Sequence, residues 1–390
     1  MRKPALSNRR DFLKFSLASG CALTLPMSRP VGTLAAAGLE DERFVFLKNL
    51  LAAPSPSGSE TAAQRVVREF AEGFADEVRT DVHGNVIAVK NAGAPLRLMM
   101  AGHVDQVGLM VQFIDDSGFL RVQPSGGWDP QVLLGQRIVI WAKGGPVTGC
   151  IARRPPHALE GDRTRVPDFH EMWVDIGASG KKEAEEMVRV GDPITPELVQ
   201  KELANRRVIS PGLDDKVGVW TVFEALRLVD AKALGCAFYA VATVQEELGL
   251  RGAGTSAFGI DPHVGMAVDV THSTDYLTMS KERYGDVSLG KGPVITRGPN
   301  CNPKVVELLI QSAEEGKIPH QLAACSRLTG TDARQIQVTR AGVATGLVSI
   351  PNRYMHGPTE MVSLDDVAST ADLLSLFATR VTAEVDFRPA

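Results

Sequence analysis

Hydrophobic and polar positions follow two alternating periods along most of this chain. Val66, Val67, Phe70 and Phe74 recur at helical spacing behind Ser59, a residue type that caps helices, and predict an amphipathic helix over residues 60–74. Two apolar runs too short for helices follow, at 86–89 and 96–101, each beside Gly or Asn-Gly turn signals, and suit strands of a buried sheet. After about residue 214 the patterns alternate again. Helices are expected over 216–228, 303–315 and 365 to about 385, and strands over 237–244, 264–270 and 344–350. Such alternation predicts an α/β fold, a mostly parallel or mixed sheet sandwiched by helices. Between 108 and 204 the chain changes to short β-type runs rich in Gly and Pro, with one helical patch at 181–188. That stretch is expected to be an inserted small β domain, which divides the main domain into 38–107 and 205–390.

Composition adds one boundary and several exclusions. With 44% hydrophobic and 23% charged residues, the chain has what a packed globular core needs and no signature of disorder. Residues 1–37 read as a targeting segment: Ser7-Asn8-Arg9-Arg10-Asp11-Phe12-Leu13-Lys14 has the twin-arginine pattern, a modestly apolar stretch follows at 15–26, and Ala35-Ala36-Ala37 offers a cleavage site before Gly38. The expected location is periplasmic, or otherwise exported by the twin-arginine pathway; the bland alternative is a basic N-terminus. No other stretch approaches the ~18–20 apolar residues that span a bilayer, so no membrane partner is expected after removal of the segment. The segment holds six Lys/Arg and one Asp, so without it the formal net charge falls by five, from −4 to −9, a sign that argues against nucleic acid. Cys150, Cys236, Cys301 and Cys325 show no CxxC spacing and suggest neither a disulfide framework nor a thiolate metal site.

Several polar clusters sit where an apolar strand runs out, the edge at which open α/β sheets bind ligands. His103-Val104-Asp105 follows the run 96–101, and offers an imidazole with a carboxylate two residues on that could orient it. Asp214-Asp215 precedes a helix; an aspartate there either caps the helix or bridges two cations, one through each oxygen. Glu246-Glu247 ends the strand 237–244, where two buried carboxylates would be costly without cations. Asp269 lies inside an apolar strand and needs a partner, and His356 follows another strand, where a surface histidine would look the same. Together, two histidines and three carboxylates without a thiolate suit Zn²⁺ or Co²⁺.

The chain also carries Pro54-Ser55-Pro56-Ser57-Gly58, His83-Gly84-Asn85, Gly102-His103-Val104-Asp105, Gly126-Gly127-Trp128-Asp129-Pro130, Gln245-Glu246-Glu247-Leu248-Gly249, Thr331-Asp332-Ala333 and Arg353-Tyr354-Met355-His356. In this order the motifs resemble the tetrahedral, or glutamyl, aminopeptidase family of dinuclear metallopeptidases, some of whose members bear cellulase or endoglucanase names. The resemblance implies a zinc-exopeptidase-like fold with an inserted β-barrel and homo-oligomers up to dodecamers. It implies two divalent metal ions per subunit, held by His103, Asp214, Glu247, Asp269 and His356, with Asp214 as the bridge. Glu246 would be the general base and Asp105 would support His103. The implied activity is removal of the N-terminal residue from peptide substrates. Another amide hydrolase on the same scaffold, a carboxypeptidase or deacylase, is the first alternative, and a catalytically inactive metal-stabilised binding protein the second. Three positions depart from the family pattern: Gln106 where Glu is common, Lys216 where Arg is frequent, and Gly357 where Ser is frequent.

Overall fold

The computed structural model describes residues 38–158 and 165–389; the expected export segment, residues 1–37, lies outside the described residues. The apolar runs pair into one eight-stranded sheet in the order Glu77–Thr80, Val86–Lys90, Ala237–Thr243, Arg97–His103, Val264–His272, Ala344–Asn352, Val294–Arg297 and Gln321–Ala324. Its four central strands, Ala237–Thr243 through Ala344–Asn352, run parallel. Antiparallel partners join on either side, so the sheet is mixed. All five residues of Val86–Lys90 are buried, as are six of the seven in Arg97–His103. Continuous apolar runs of this kind are what a sheet covered on both faces demands.

One helix, Leu213–Leu228, is buried from Leu213 to Leu226, with Trp220 and Phe223 wholly enclosed. Its backbone comes so close to the central strand that a Cβ at Gly102 would lie 2.6 Å from the Gly218 carbonyl carbon. A side chain at Gly102 would force strand and helix apart and displace His103, the next residue. At the other end of this helix the Lys90 ammonium donates to the carbonyls of Leu226, Arg227 and Val229, satisfying groups a helix terminus leaves open. The first amphipathic helix spans Thr61–Ala71, with Phe70 stacked on Phe46 at 4.0 Å between ring centroids. The last runs Leu364–Arg380, ending before the expected residue 385, and is capped by the Ser363 side chain.

The Gly- and Pro-rich middle of the chain closes into a six-stranded barrel: Gly108–Ile114, Leu120–Ser125, Trp173–Asp175, Gly145–Ala152, Arg137–Ala142 and Pro193–Pro196. Leu109, Val111, Leu120, Ile138, Ile140 and Ile194 fill it as a hydrophobic cluster separate from that of the main sheet. A small sheet of Lys201–Leu203, Arg207–Ser210 and Glu360–Ser363 sets Ser210 opposite Glu360. Among the described residues no helix is long and apolar enough to cross a membrane.

Candidate metal centre

The carboxyl ends of the parallel strands converge, and the candidate residues arrive with them. Thr243 pairs with His103 in the sheet register, so Glu246 and Glu247 leave their strand beside His103. Asp269 comes from the neighbouring strand Val264–His272, and His356 from the loop after Ala344–Asn352. His103 Nε2 lies 3.1 Å from Asp214 Oδ1, 3.8 Å from Asp269 Oδ1 and 4.0 Å from Glu246 Oε2. His356 Nε2 lies 3.3 Å from Asp214 Oδ2 and 3.2 Å from Glu247 Oε1. Asp214 thus presents one oxygen to each histidine.

Both imidazoles are oriented by backbone carbonyls. His103 Nδ1 is 2.9 Å from the Asp105 carbonyl and His356 Nδ1 is 2.7 Å from the Gly127 carbonyl. A carbonyl only accepts, so Nδ1 carries the proton in each neutral ring and the Nε2 lone pair points at carboxylates. Lone pairs facing carboxylates repel unless positive charge sits between them. With protons as the only cations, the hydrogen bonds that His356 donates to Asp214 and Glu247 push it up to about 11. Burial alone would lower His103, but Glu246, Asp105, Asp214 and Asp269 carry it well above its usual value. Burial drives Glu246 up to about 10, and raises Glu247 and Asp269 as well. Asp214 goes the other way: burial opposes its charge, but hydrogen bonds from His103 and His356 hold it below the usual carboxylate range.

The Asp214-Asp215 pair divides its labour. Asp214 (φ −77°, ψ 108°) and Asp215 (φ −120°, ψ 37°) are not helical although they stand at the helix start. Asp215 Oδ1 accepts the Gly218 N–H at 3.1 Å and its Oδ2 accepts the His103 N–H at 3.1 Å, so this aspartate caps the helix. Ligand atoms of His103, Asp215 and Asp269 lie within 4.8 Å of one another, as do those of Asp214, Glu247 and His356. Proximity alone thus groups Asp215 with His103, but its oxygens are already engaged by the backbone, whereas those of Asp214 face the two rings.

Asp105 stands behind His103 and meets it through its backbone. Its carboxylate stands 3.6 Å from His103 Nδ1, beyond a hydrogen bond, and the ring is held by its backbone carbonyl instead. The carboxylate accepts the N–H groups of Glu246 at 2.9 Å and Glu247 at 3.2 Å, and the Ser57 hydroxyl. Glu246 Oε1 is buried and finds no hydrogen-bond partner among the described residues. Gln245, Tyr354 and His356 adopt left-handed φ of 55°, 62° and 58° although none is glycine, a local strain that collects where side chains must be aimed. Two of the three departures from the family pattern meet here. The buried Lys216 ammonium donates to Gln106 Oε1 at 2.7 Å and to the Ala53 carbonyl at 2.8 Å, and burial lowers it to about 7.

Sequence reasoning did not single out Gly127, whose carbonyl reaches His356 from the loop that leaves a barrel strand, nor Glu360 behind Asp214 and His356. The Gly126-Gly127-Trp128 motif was the available signal for the first: a Cβ at Gly127 would stand 3.3 Å from His356 Nδ1. Glu360 gave none.

A profile described as M42 glutamyl aminopeptidase matches residues 84–373, most of the chain. The chain belongs to the M42 glutamyl aminopeptidase family. It is 39% identical over 350 residues to the lysyl aminopeptidase of Pyrococcus furiosus, covering 88% of this chain and 99% of that protein. The TET aminopeptidase of a marine-sediment archaeon, Thaumarchaeota archaeon, superposes with a TM-score of 0.84 at 36% identity, covering 88% of this chain and 98% of that one. The TET1 peptidase of Pyrococcus horikoshii, which can assemble into a tetrahedron or a large octahedral shell, has a TM-score of 0.76 at 29% identity over 86% of this chain and 99% of its own. This M42 chain is a metal-dependent aminopeptidase, a peptide hydrolase.

The same comparisons correct the expected periplasmic, exported location. This M42 chain matches 99% of the P. furiosus protein and 99% of the P. horikoshii one, which leaves those relatives no length for a counterpart of an export segment. Paired arginines before a modestly apolar stretch are a short pattern that a plain basic N-terminus also meets.

Proposed function

We propose that this M42 peptidase removes the N-terminal residue of peptides with two divalent cations, Zn²⁺ or Co²⁺, at the carboxyl edge of its sheet. His103 and Asp269 would hold one, His356 and Glu247 the other, and Asp214 would offer an oxygen to each. The observation that carries the reading is the pair of locked imidazoles: each Nε2 lone pair is turned on carboxylates that only a cation reconciles with it. The nitrogen and oxygen donors suit those ions, and among the described residues no thiolate stands with them. When bound, such cations polarise a carbonyl and make water nucleophilic near neutral pH.

The chain's own residues supply the rest. Glu246 has a free acceptor oxygen, Oε1, and its peptide N–H is pinned by Asp105. It takes the proton of the attacking water and returns it to the departing amine. The excess of buried carboxylates favours a substrate that brings a positive α-ammonium group. The matching experiment combines metal analysis with a panel of aminoacyl substrates. Dialysis against a chelator should abolish activity, Zn²⁺ or Co²⁺ should restore it with two ions bound, and N-acetylated peptides should resist. Cleavage of the blocked peptides, or full activity without metal, would refute the reading.

Residues 38–107 and 205–390 form the catalytic domain in this proposal. Residues 108–204 are its inserted domain, through which copies of the chain associate, up to a dodecamer. The TET1 peptidase, which can assemble into a tetrahedron, supports this. Light scattering should give a mass several times that of one chain; a monomer at micromolar concentration would count against it.

A further inference from the structure

Glu360 is a buried carboxylate, 1% exposed, that touches two of the proposed ligands at once. Its strand, Glu360–Ser363, pairs antiparallel with Arg207–Ser210 and sets it beside the helix that starts at Leu213. Oε2 accepts the N–H of Asp214 at 2.9 Å, from a residue 146 positions away, and Oε1 accepts the N–H of His356 at 3.1 Å. Both amides belong to irregular backbone. Asp214 has φ −77° and ψ 108° at the mouth of a helix, and His356 has φ 58°. Neither conformation supplies a regular partner for its own N–H, and a buried N–H without one is costly. One carboxylate satisfies both amides and thereby fixes the distance between two segments that the chain connects only through a long detour.

We infer that Glu360 is a positioning residue: it sets the spacing of Asp214 and His356, and so the geometry of the cation site that these two form with Glu247. The inference rests on the metal reading proposed above. Glu360 acts on that site from behind, through peptide groups, with each of its oxygens given to an N–H. The second site, with His103 and Asp269, shares only Asp214 and is touched less. Glutamine has nearly the same volume but only one acceptor oxygen, so Glu360→Gln sets an amide NH₂ against one of the two N–H groups.

The test is calorimetric titration of the metal-stripped full chain with Zn²⁺, wild type beside Glu360→Gln, with the visible spectrum of Co²⁺ as a second readout. Two binding steps are expected in the wild type. In the variant one step should weaken about 10- to 100-fold while the other moves less than about threefold, and the Co²⁺ spectrum should change, the scale on which groups behind a ligand act. Lost turnover should return as metal is raised. Unchanged binding in both steps would overturn the inference, as would equal weakening of both steps with a fall in melting temperature, the mark of a merely structural role. If the wild type binds no pair of ions, the metal reading itself fails, which is a distinct result. Should the glutamine variant not fold, Glu360→Asp, which keeps both acceptors but is too short to reach both amides, carries the same expectation and the same overturning result.

Discussion

Glu246→Gln should lower kcat by about 10² to 10⁴-fold, the range that a positioned proton-transfer group supplies, while both metal ions stay bound. The substitution keeps the shape of the side chain and removes its ability to take up a proton. Because Asp105 holds the residue through its peptide N–H, the backbone path of the Glu246-Glu247 turn is not disturbed by the change. KM should move little. The measurement is steady-state kinetics on an aminoacyl substrate together with metal content for the same preparation. Activity within tenfold of wild type would remove Glu246 from the role of base. Loss of an ion would instead make Glu246 a ligand, which its Oε2, 4.0 Å from His103 Nε2, would permit.

The second large effect separates two neighbouring aspartates. Asp214→Asn should cost at least one metal ion and reduce kcat/KM by on the order of 10³-fold, since the several kcal/mol that cations contribute go with them. Asp215→Asn should retain both ions and lose stability by about 0.5–2 kcal/mol, the usual worth of a helix cap. The contrast follows from where the oxygens point: those of Asp214 towards His103 and His356, those of Asp215 into the N–H groups of His103 and Gly218. Metal analysis and thermal melts of the two variants decide it. If Asp215→Asn loses the metals and Asp214→Asn keeps them, the bridge has been placed on the wrong residue.

The central strands were legible because a sheet covered on both faces needs unbroken apolar runs, and few other structures do. The polar residues at their ends stood out against that background, which is how His103, Glu246, Glu247 and Asp269 could be picked. Legibility failed where the pattern is short or the cause is distant. The helix Arg251–Ile260 contains Gly252, Gly254 and Gly259, which argue against a helix on propensity alone. At Gly252 the reason is contact: a Cβ there would lie 2.3 Å from Asn85 Oδ1 and 2.5 Å from the Val244 N. Glu360 is one acid on a four-residue strand, and only pairing with a segment some 150 positions earlier brings it inward. The sequence also could not divide capping from bridging between Asp214 and Asp215, because the answer lies in backbone angles that depart from the helix at those two residues.

The carbonyl of Gly127 gives the barrel a stake in the chemistry. It belongs to the connection after Leu120–Ser125, yet it aims an imidazole 229 positions further along the chain. A main-chain oxygen cannot be deleted by exchanging a side chain, so the route of this loop, more than its composition, is what must be preserved. Anyone who trims the barrel or grafts a foreign one in its place would have to return an acceptor to the same spot, or leave the ring of His356 held from its Nε2 side alone.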